Sequence, residues 1–275
     1  MLSLIFRIII ISSFALGQIE DFNLTIDYRN TMHNQSIYLN KLKEDLEFYF
    51  MSNDFLKTNQ DFKISLDANM TIESVSNNNI ISAYVLFSNR QDQILFSDGV
   101  DFEYILGETL IHSTVYSSLT SFLDYNIFIM LASELDKHNY KGGENYYIRA
   151  QDIALKGTLS EYPRKWNKRL KKCRELKENT YLRNIKFLYT TIYNQLFKSE
   201  EDVDEKIIKE YLGSIYDALL SIDDEYGTNK ETIMYFNSIK EEFSDLCIEY
   251  DMEYLIKFLI QYDSDNSEFY KDLLD

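Results

Sequence analysis

The sequence predicts an α+β protein in which an N-terminal strand-rich layer with one helix is followed by a mainly α-helical C-terminal part. Three observations predict this order. Apolar and polar residues alternate with period two in the first third of the chain. Apolar residues recur with helical spacing beyond about residue 113. Helix breakers are scarce, with 1 Pro and 8 Gly in 275 residues, which favours long helices over a turn-rich sandwich.

Residues 1–17 have the layout of a secretory signal peptide. Arg7 precedes the apolar run Ile8–Ile11, and Ala15-Leu16-Gly17 places small residues at the −3 and −1 positions of a cleavage site. The apolar run is shorter than the roughly 20 residues that a membrane-spanning helix requires. We therefore expect an exported chain that begins near Gln18 and is not an integral membrane protein after cleavage.

The next elements predict an N-terminal domain over residues 18–112. Phe22–Tyr28 alternates as a strand, and Gln35–Met51 is a helical segment that Asn34 could cap. The predicted apolar stripe of this helix is Ile37, Leu42, Leu46, Tyr49 and Phe50.

Further strands follow. Phe62–Val75 and Ile80–Ser88 flank the turn residues Asn77–Asn79, which predicts a hairpin, and Gln93–Phe96 and Asp101–Leu106 continue the extended pattern. The first of these strands is expected to direct one set of side chains to a common face: Ile64, Leu66, Ala68, Met70 and Ile72.

The pattern then changes, which predicts a helical C-terminal domain over residues 113–275. A helix from Val115 to beyond Ala132 is apolar nearly all round, which is typical of a core helix. A break is expected between Asp136 and Gly143, and Pro163 marks another. The other predicted helices are Glu144–Lys156, Lys165–Leu176, Tyr181–Phe197, Asp204–Tyr226, Lys230–Glu249 and Glu253–Gln261, with a last turn at Ser267–Leu274.

Composition and charge exclude several classes of partner. The chain has 45 acidic and 28 basic residues, a net charge of −17, so nucleic acid and anionic lipid would be repelled. A basic partner surface remains possible, although solubility explains the charge equally well.

The sequence contains no recognisable motif for catalysis, a metal or a cofactor, which is consistent with a non-enzymatic protein. The three His lack the spacing of a zinc site, and no nucleophile or phosphate-binding motif occurs. The acidic runs Ser199–Glu205 and Asp223–Glu225 lack the order of an EF-hand loop. Four carboxylates could pair as acid and base, although no spacing selects two of them: Glu103, Glu108, Asp124 and Asp136.

Two local features allow alternative interpretations. Gly142-Gly143 before Glu144 is a turn or, less favoured, an anion site at a helix N-terminus. Cys173 and Cys247 could form a disulfide or remain two buried thiols.

The basic segment Arg164–Arg174, RKWNKRLKKCR, is the one cationic run in this acidic chain and contains the only Trp. It is either a patch for an acidic protein face or anionic headgroups, or an exposed helix face with Trp166 packed on the core. The residues of the candidate interaction patch are Arg164, Lys165, Trp166, Lys168, Arg169, Lys171, Lys172 and Arg174.

The stretch Ser117–Gly157 also carries a family resemblance. SLTSFLDYNIFIMLASELD followed by YKGGENYYIRAQDIA resembles the central block of the PorD-like family, secreted Bacteroidota proteins associated with the type IX secretion system. A Leu-rich helix, a Gly-Gly turn, an aromatic pair and an Ala-Gln pair occur in the same order. The segments TIMYFNSIKEEFSDLC and QYDSDNSEFYKDLL are similar more weakly, and between Lys156 and Lys198 the similarity is poor.

This resemblance implies a periplasmic protein, associated with the outer membrane, that serves as an accessory or scaffold component in protein export and gliding motility. The expected partners are outer-membrane translocon components, with no enzyme activity and no cofactor. A helical binding module for a peptide or lipid, or a hydrolase with an unmarked acid pair, remains an alternative.

Overall fold

The computed structural model of the protein describes residues 19–29, 35–56, 63–198 and 204–274. The expected signal peptide, the predicted cap Asn34, His33 and residues 199–203 of the acidic run lie outside the described residues. Within the described part, the predicted fold class is confirmed. A four-stranded sheet with one helix comes first, and a mainly helical part follows.

The sheet has the strand order of the sequence. β1 is parallel to β2, so the chain must cross over between them, and helix α1 forms this connection. β2, β3 and β4 are successive antiparallel neighbours, which confirms the predicted hairpin at Asn77–Asn79. The elements are β1 Ile19–Asp27, α1 Ser36–Ser52, β2 Ile64–Val75, β3 Ile80–Ser88 and β4 Ile94–Glu103.

One face of the sheet is buried and the other is partly open. The five side chains of β2 that the alternation assigned to one face are all buried, as predicted. The opposite face pairs Leu86 with Phe96 and Thr71 with Tyr84 across neighbouring strands. Phe96 is 61% exposed and Ile94 is 49% exposed on this face. The open face is therefore apolar at β3 and β4.

Two sequence predictions in this layer were wrong in detail. The two extended segments after residue 93 form one strand, β4, with a bulge at Gly99, whose φ of 142° suits a residue without a Cβ. Ile37 is exposed, and Leu39 joins the buried stripe of α1 instead. Two residues correspond to about 200° around a helix, so Ile37 and Leu39 face opposite sides.

The helical part agrees closely with the predicted segments. Nearly all of the 21 residues of α2 are buried, which confirms a core helix, although it begins at Ser118 and leaves Val115 exposed. The later helices match their predicted ends within two residues. The helices are α2 Ser118–His138, α3 Glu144–Thr158, α4 Trp166–Glu178, α5 Thr180–Lys198, α6 Glu205–Tyr226, α7 Lys230–Glu249, α8 Glu253–Tyr262 and α9 Ser267–Asp272.

The buried apolar side chains of the described residues form two clusters. The first extends from Ile19 to Cys173 and joins the sheet to α1–α4, and the second extends from Leu182 to Tyr270 within α5–α9. The predicted domain border between residues 112 and 113 lies within the stretch of sequence that the first cluster covers. The division into two domains stays a prediction. Cys173 and Cys247 are both buried free thiols, one in each cluster. None of the described helices combines the length and apolarity needed to cross a membrane.

Candidate functional site

Two of the eight candidate patch residues lie in the interior. Trp166, at the start of α4, is 1% exposed, and its ring lies 5.7 Å from that of Tyr125. Arg169 is also buried and donates a hydrogen bond of 2.7 Å from Nη2 to the carbonyl of Gly99. Burial lowers the pKa of Arg169 to about 10, so the guanidinium remains protonated at neutral pH. Trp166 thus packs α4 against α2, Arg169 holds α4 against the bulge of β4, and neither side chain offers an outer surface.

Most other cations of the segment are paired with carboxylates of the same chain. These pairs are Arg164 with Glu73 (2.8 Å) and Asp101 (3.0 Å), Lys165 and Lys168 with Asp98 (3.5 and 2.8 Å), Lys171 with Glu175 (3.6 Å), and Lys172 with Glu231. Among the described residues, Lys171 and Arg174 form no ion pair with another element. The basic segment thus neutralises carboxylates on strands β2 and β4. The binding of a partner by Lys171 and Arg174 stays a prediction.

A buried Tyr–Asp–His cluster anchors the long connection between β4 and α2, residues 104–117. The hydroxyl of Tyr49 donates to Asp124 Oδ1 at 2.5 Å, and His112 Nδ1 lies 2.9 Å from the same oxygen. Burial, together with the nearby Asp124 carboxylate, raises the pKa of Tyr49. The His112 ring also lies against Phe55, at 5.1 Å between ring centres. The three polar groups are closed in by apolar rings, so we interpret them as a structural anchor.

A second buried polar cluster joins the two hydrophobic clusters. Asp92, in the turn between β3 and β4, accepts hydrogen bonds from Lys186 of α5 at 2.9 Å and from Lys137 of α2 at 3.1 Å. Lys186 also donates to the hydroxyl of Ser133 at 2.6 Å, and its Nζ lies 5.0 Å from the centre of the Tyr235 ring. Helix α5 is therefore fixed to the sheet and to α2 by charge as well as by apolar packing.

Asp136 and Arg183 form the most buried ion pair of this cluster. Arg183 donates to both Asp136 oxygens, at 2.7 and 3.0 Å, and also to Glu144 at 2.7 Å. Burial alone would lower the pKa of Arg183, but the hydrogen bonds to these carboxylates outweigh burial and raise it. The amide of Gly143 donates to Asp136 at 2.9 Å. The possible anion site at Gly142-Gly143 is thus filled by a carboxylate of the protein itself.

The Asp92 cluster predicts a pH dependence. Burial opposes ionisation of Asp92, but Lys186 and Lys137 outweigh it and hold the carboxyl pKa well below its ordinary value of 3.8. A group whose pKa is lower in the folded state than in the unfolded state stabilises the fold at pH values above its unfolded-state pKa. This stabilisation is lost as the pH falls through the folded-state pKa. We expect Asp92→Asn to be less stable than the wild type at neutral pH, with the difference narrowing below about pH 4. Urea denaturation midpoints of the wild type and of Asp92→Asn, measured from neutral pH to strong acid, test this prediction. A difference between the two midpoints that does not change with pH would contradict it.

An open groove lies along the β4–α2 connection. Its volume is about 540 Å³, and the turn between α3 and α4 forms its other wall. Four apolar side chains of the connection are well exposed: Ile105 (38%), Leu106 (55%), Ile111 (64%) and Val115 (75%). Glu103, Glu108 and Glu161 line the same groove. Connections of this length without helix or strand are uncommon and often functional.

The four carboxylates considered from sequence are thus divided between two environments. Asp124 and Asp136 are buried and bonded to Tyr49 and Arg183, whereas Glu103 and Glu108 line the open groove. Sequence reasoning missed the groove and the buried clusters. The long irregular connection was the one signal available for the groove. Across the described ranges, no group of three His, Cys, Asp or Glu side chains could hold a metal ion.

Fold and site together define an α+β protein with buried ion pairs and an open groove lined by apolar and acidic side chains. Comparison with protein-family models, with curated proteins and with solved structures finds no match.

Proposed function

We propose that the chain is a non-enzymatic, exported accessory or scaffold component that acts through protein–protein contacts in protein export. The observation that carries this proposal is the groove along the β4–α2 connection. Exposed apolar patches bordered by polar residues are typical of protein interaction sites. Here Ile111 and Val115 are each more than half exposed beside three carboxylates.

The open face of the sheet supports the same proposal. Phe96 and Ile94 present apolar side chains on the edge strand β4. Natural proteins usually protect such edges, and in this chain Arg164, Lys168 and Arg169 bind β4 at Asp101, Asp98 and Gly99. The half-exposed side chains of Ile94 and Phe96 on the open face of the sheet are accessible to a partner.

A hydrolase is less well supported. An acid–base pair requires two carboxyl groups whose environments separate their pKa values, usually through burial of one of them. Glu103, Glu108 and Glu161 are all exposed, while the buried carboxylates Asp124 and Asp136 are bound by other side chains.

The periplasmic location and the assignment to the type IX secretion system rest on the PorD-like resemblance of Ser117–Gly157 and on the predicted signal peptide. On this basis the partners are outer-membrane translocon components. Gliding motility is the associated process in the family.

A pull-down of the tagged protein from solubilised envelope of its native host, read by mass spectrometry, tests this function. We expect recovery of outer-membrane translocon components, and weaker recovery with Ile111→Ser plus Val115→Ser. Lys171→Glu plus Arg174→Glu tests the remaining cations of the basic segment in the same experiment. Recovery of the tagged protein alone, repeated after mild crosslinking, would contradict stable assembly.

A further inference from the structure

We propose that the groove along the β4–α2 connection binds a short segment of a partner protein that combines apolar side chains with Lys or Arg. This inference rests on the proposed protein-binding role and specifies the chemistry of the partner. The volume of about 540 Å³ lies within the range of roughly 300–1,000 Å³ that is common for ligand sites. The groove can therefore accept several side chains of a peptide.

The charge of the groove selects a cationic partner. Glu103, Glu108 and Glu161 line it, and none of the described residues that line it is Lys or Arg. Burial raises the pKa of the Tyr162 hydroxyl, and the Glu161 and Glu103 carboxylates add to this effect, so both carboxylates act on one part of the groove. The first cation of the basic segment, Arg164, is already bound by Glu73 and Asp101. The negative charge of the groove is therefore available to a partner.

The apolar side chains in the groove favour a ligand that carries apolar groups as well as charge. Ile111 and Val115 are exposed in the groove, and Tyr116 and Tyr162 also line it. Burying such side chains contributes roughly 25 cal/mol per Å² of apolar surface, which a purely ionic ligand would not gain. A segment with alternating apolar and basic side chains meets both requirements.

A membrane surface fits the groove less well than a protein segment does. Anionic headgroups would be repelled by the three carboxylates and by the net charge of −17. His112 also fixes the connection to Asp124, which keeps the apolar side chains on a supported surface beside α2. A preformed site of this kind favours a ligand that enters the groove.

Fluorescence anisotropy with the purified mature chain tests the proposal. The probe is a labelled peptide of alternating Lys and Leu, compared with one peptide that has Glu for Lys and another that has Ser for Leu. Only the Lys–Leu peptide should bind strongly. The triple variant Glu103→Gln, Glu108→Gln, Glu161→Gln should raise its Kd about tenfold, since three exposed charge pairs are lost.

The matched control has the same change of charge at a distant place. Glu241, Glu242 and Glu249 are exposed on α7, and their triple change to Gln should alter the Kd less than about twofold. Ile111→Ser plus Val115→Ser should weaken binding about fivefold at unchanged charge.

Three outcomes would overturn the proposal. The first is an equal rise in the Kd of the Lys–Leu peptide for the groove triple variant and the α7 control. The second is that the peptide with Ser for Leu binds as tightly as the Lys–Leu peptide. The third is that the Lys–Leu peptide does not bind. Adsorption to phosphatidylethanolamine vesicles that is lost in Ile111→Ser plus Val115→Ser, without peptide binding, would assign the groove to lipid instead. Translocon recovery in the pull-down without peptide binding would reject only the groove assignment. Peptide binding without translocon recovery would reject only the export role.

Discussion

Replacing Arg183 by Met is expected to lower the free energy of unfolding by about 3–5 kcal/mol, because it leaves a buried carboxylate without its partner. Asp136 is 0% exposed, and both of its oxygens accept hydrogen bonds from Arg183. Loss of Arg183 also removes the link from α5 to Glu144 at the start of α3. The contact between the two hydrophobic clusters should loosen as a result.

Urea denaturation followed by circular dichroism measures this effect. Arg29→Met is the matched control, because Arg29 also pairs with an aspartate, Asp27, but is 88% exposed. Exposed pairs contribute little, so the midpoint of the control should barely change. The double variant Arg183→Met, Asp136→Asn should regain part of the loss, since a neutral amide can still accept from the Gly143 amide. If Arg183→Met shifts the midpoint no further than Arg29→Met does, the ion pair does not stabilise the fold.

The second large effect is expected at Gly143, where α3 begins against α2. A Cβ at this position would lie 2.0 Å from the carbonyl oxygen of Ala132, a backbone atom that cannot rotate away. We expect Gly143→Ala to lower the free energy of unfolding by about 3 kcal/mol, at the upper end of typical overpacking costs. The shift of α3 should also weaken the hydrogen bond from the Gly143 amide to Asp136.

Gly213 provides a matched control for this substitution. It lies within α6, and nothing lies within 4 Å of a Cβ added there. Alanine is favoured over glycine in a helix interior, so Gly213→Ala should raise the free energy of unfolding by about 0.5–1 kcal/mol. Relative to the wild type, the melting temperature should therefore fall in Gly143→Ala and rise in Gly213→Ala. A melting temperature of Gly143→Ala that equals or exceeds that of the wild type would show that the approach of α3 to Ala132 is not tight.

The basic segment shows how far sequence reasoning reached. Its cations and its single Trp were visible in the sequence, and both interpretations, patch or packed helix, followed from them. The acidic residues that pair with them are remote in the chain: Asp98 and Asp101 precede Lys168 and Arg164 by 70 and 63 residues. No local pattern indicates such a pairing, so the segment could not be recognised as a clamp on β4.

The buried clusters were missed for the same reason. Asp92 and Lys186 are 94 residues apart, and Tyr49 and Asp124 are 75 residues apart. His112 gave no motif because its partners, Asp124 of α2 and Phe55 beyond the end of α1, are not neighbouring positions in the chain. Each residue therefore looked like an ordinary polar position in its own segment.

The sequence by itself determined the α+β class, the hairpin β2–β3, the buried face of β2 and the positions of α2–α9 within a few residues. These features depend on local periodicity and on turn chemistry, which neighbouring residues carry. Only the tertiary structure decided that Trp166 closes the first core, that Asp136 is neutralised by Arg183, and that an acidic, apolar groove remains open. Such contacts join residues that are distant in the chain, because folding brings together whichever faces of the helices and strands bury one another.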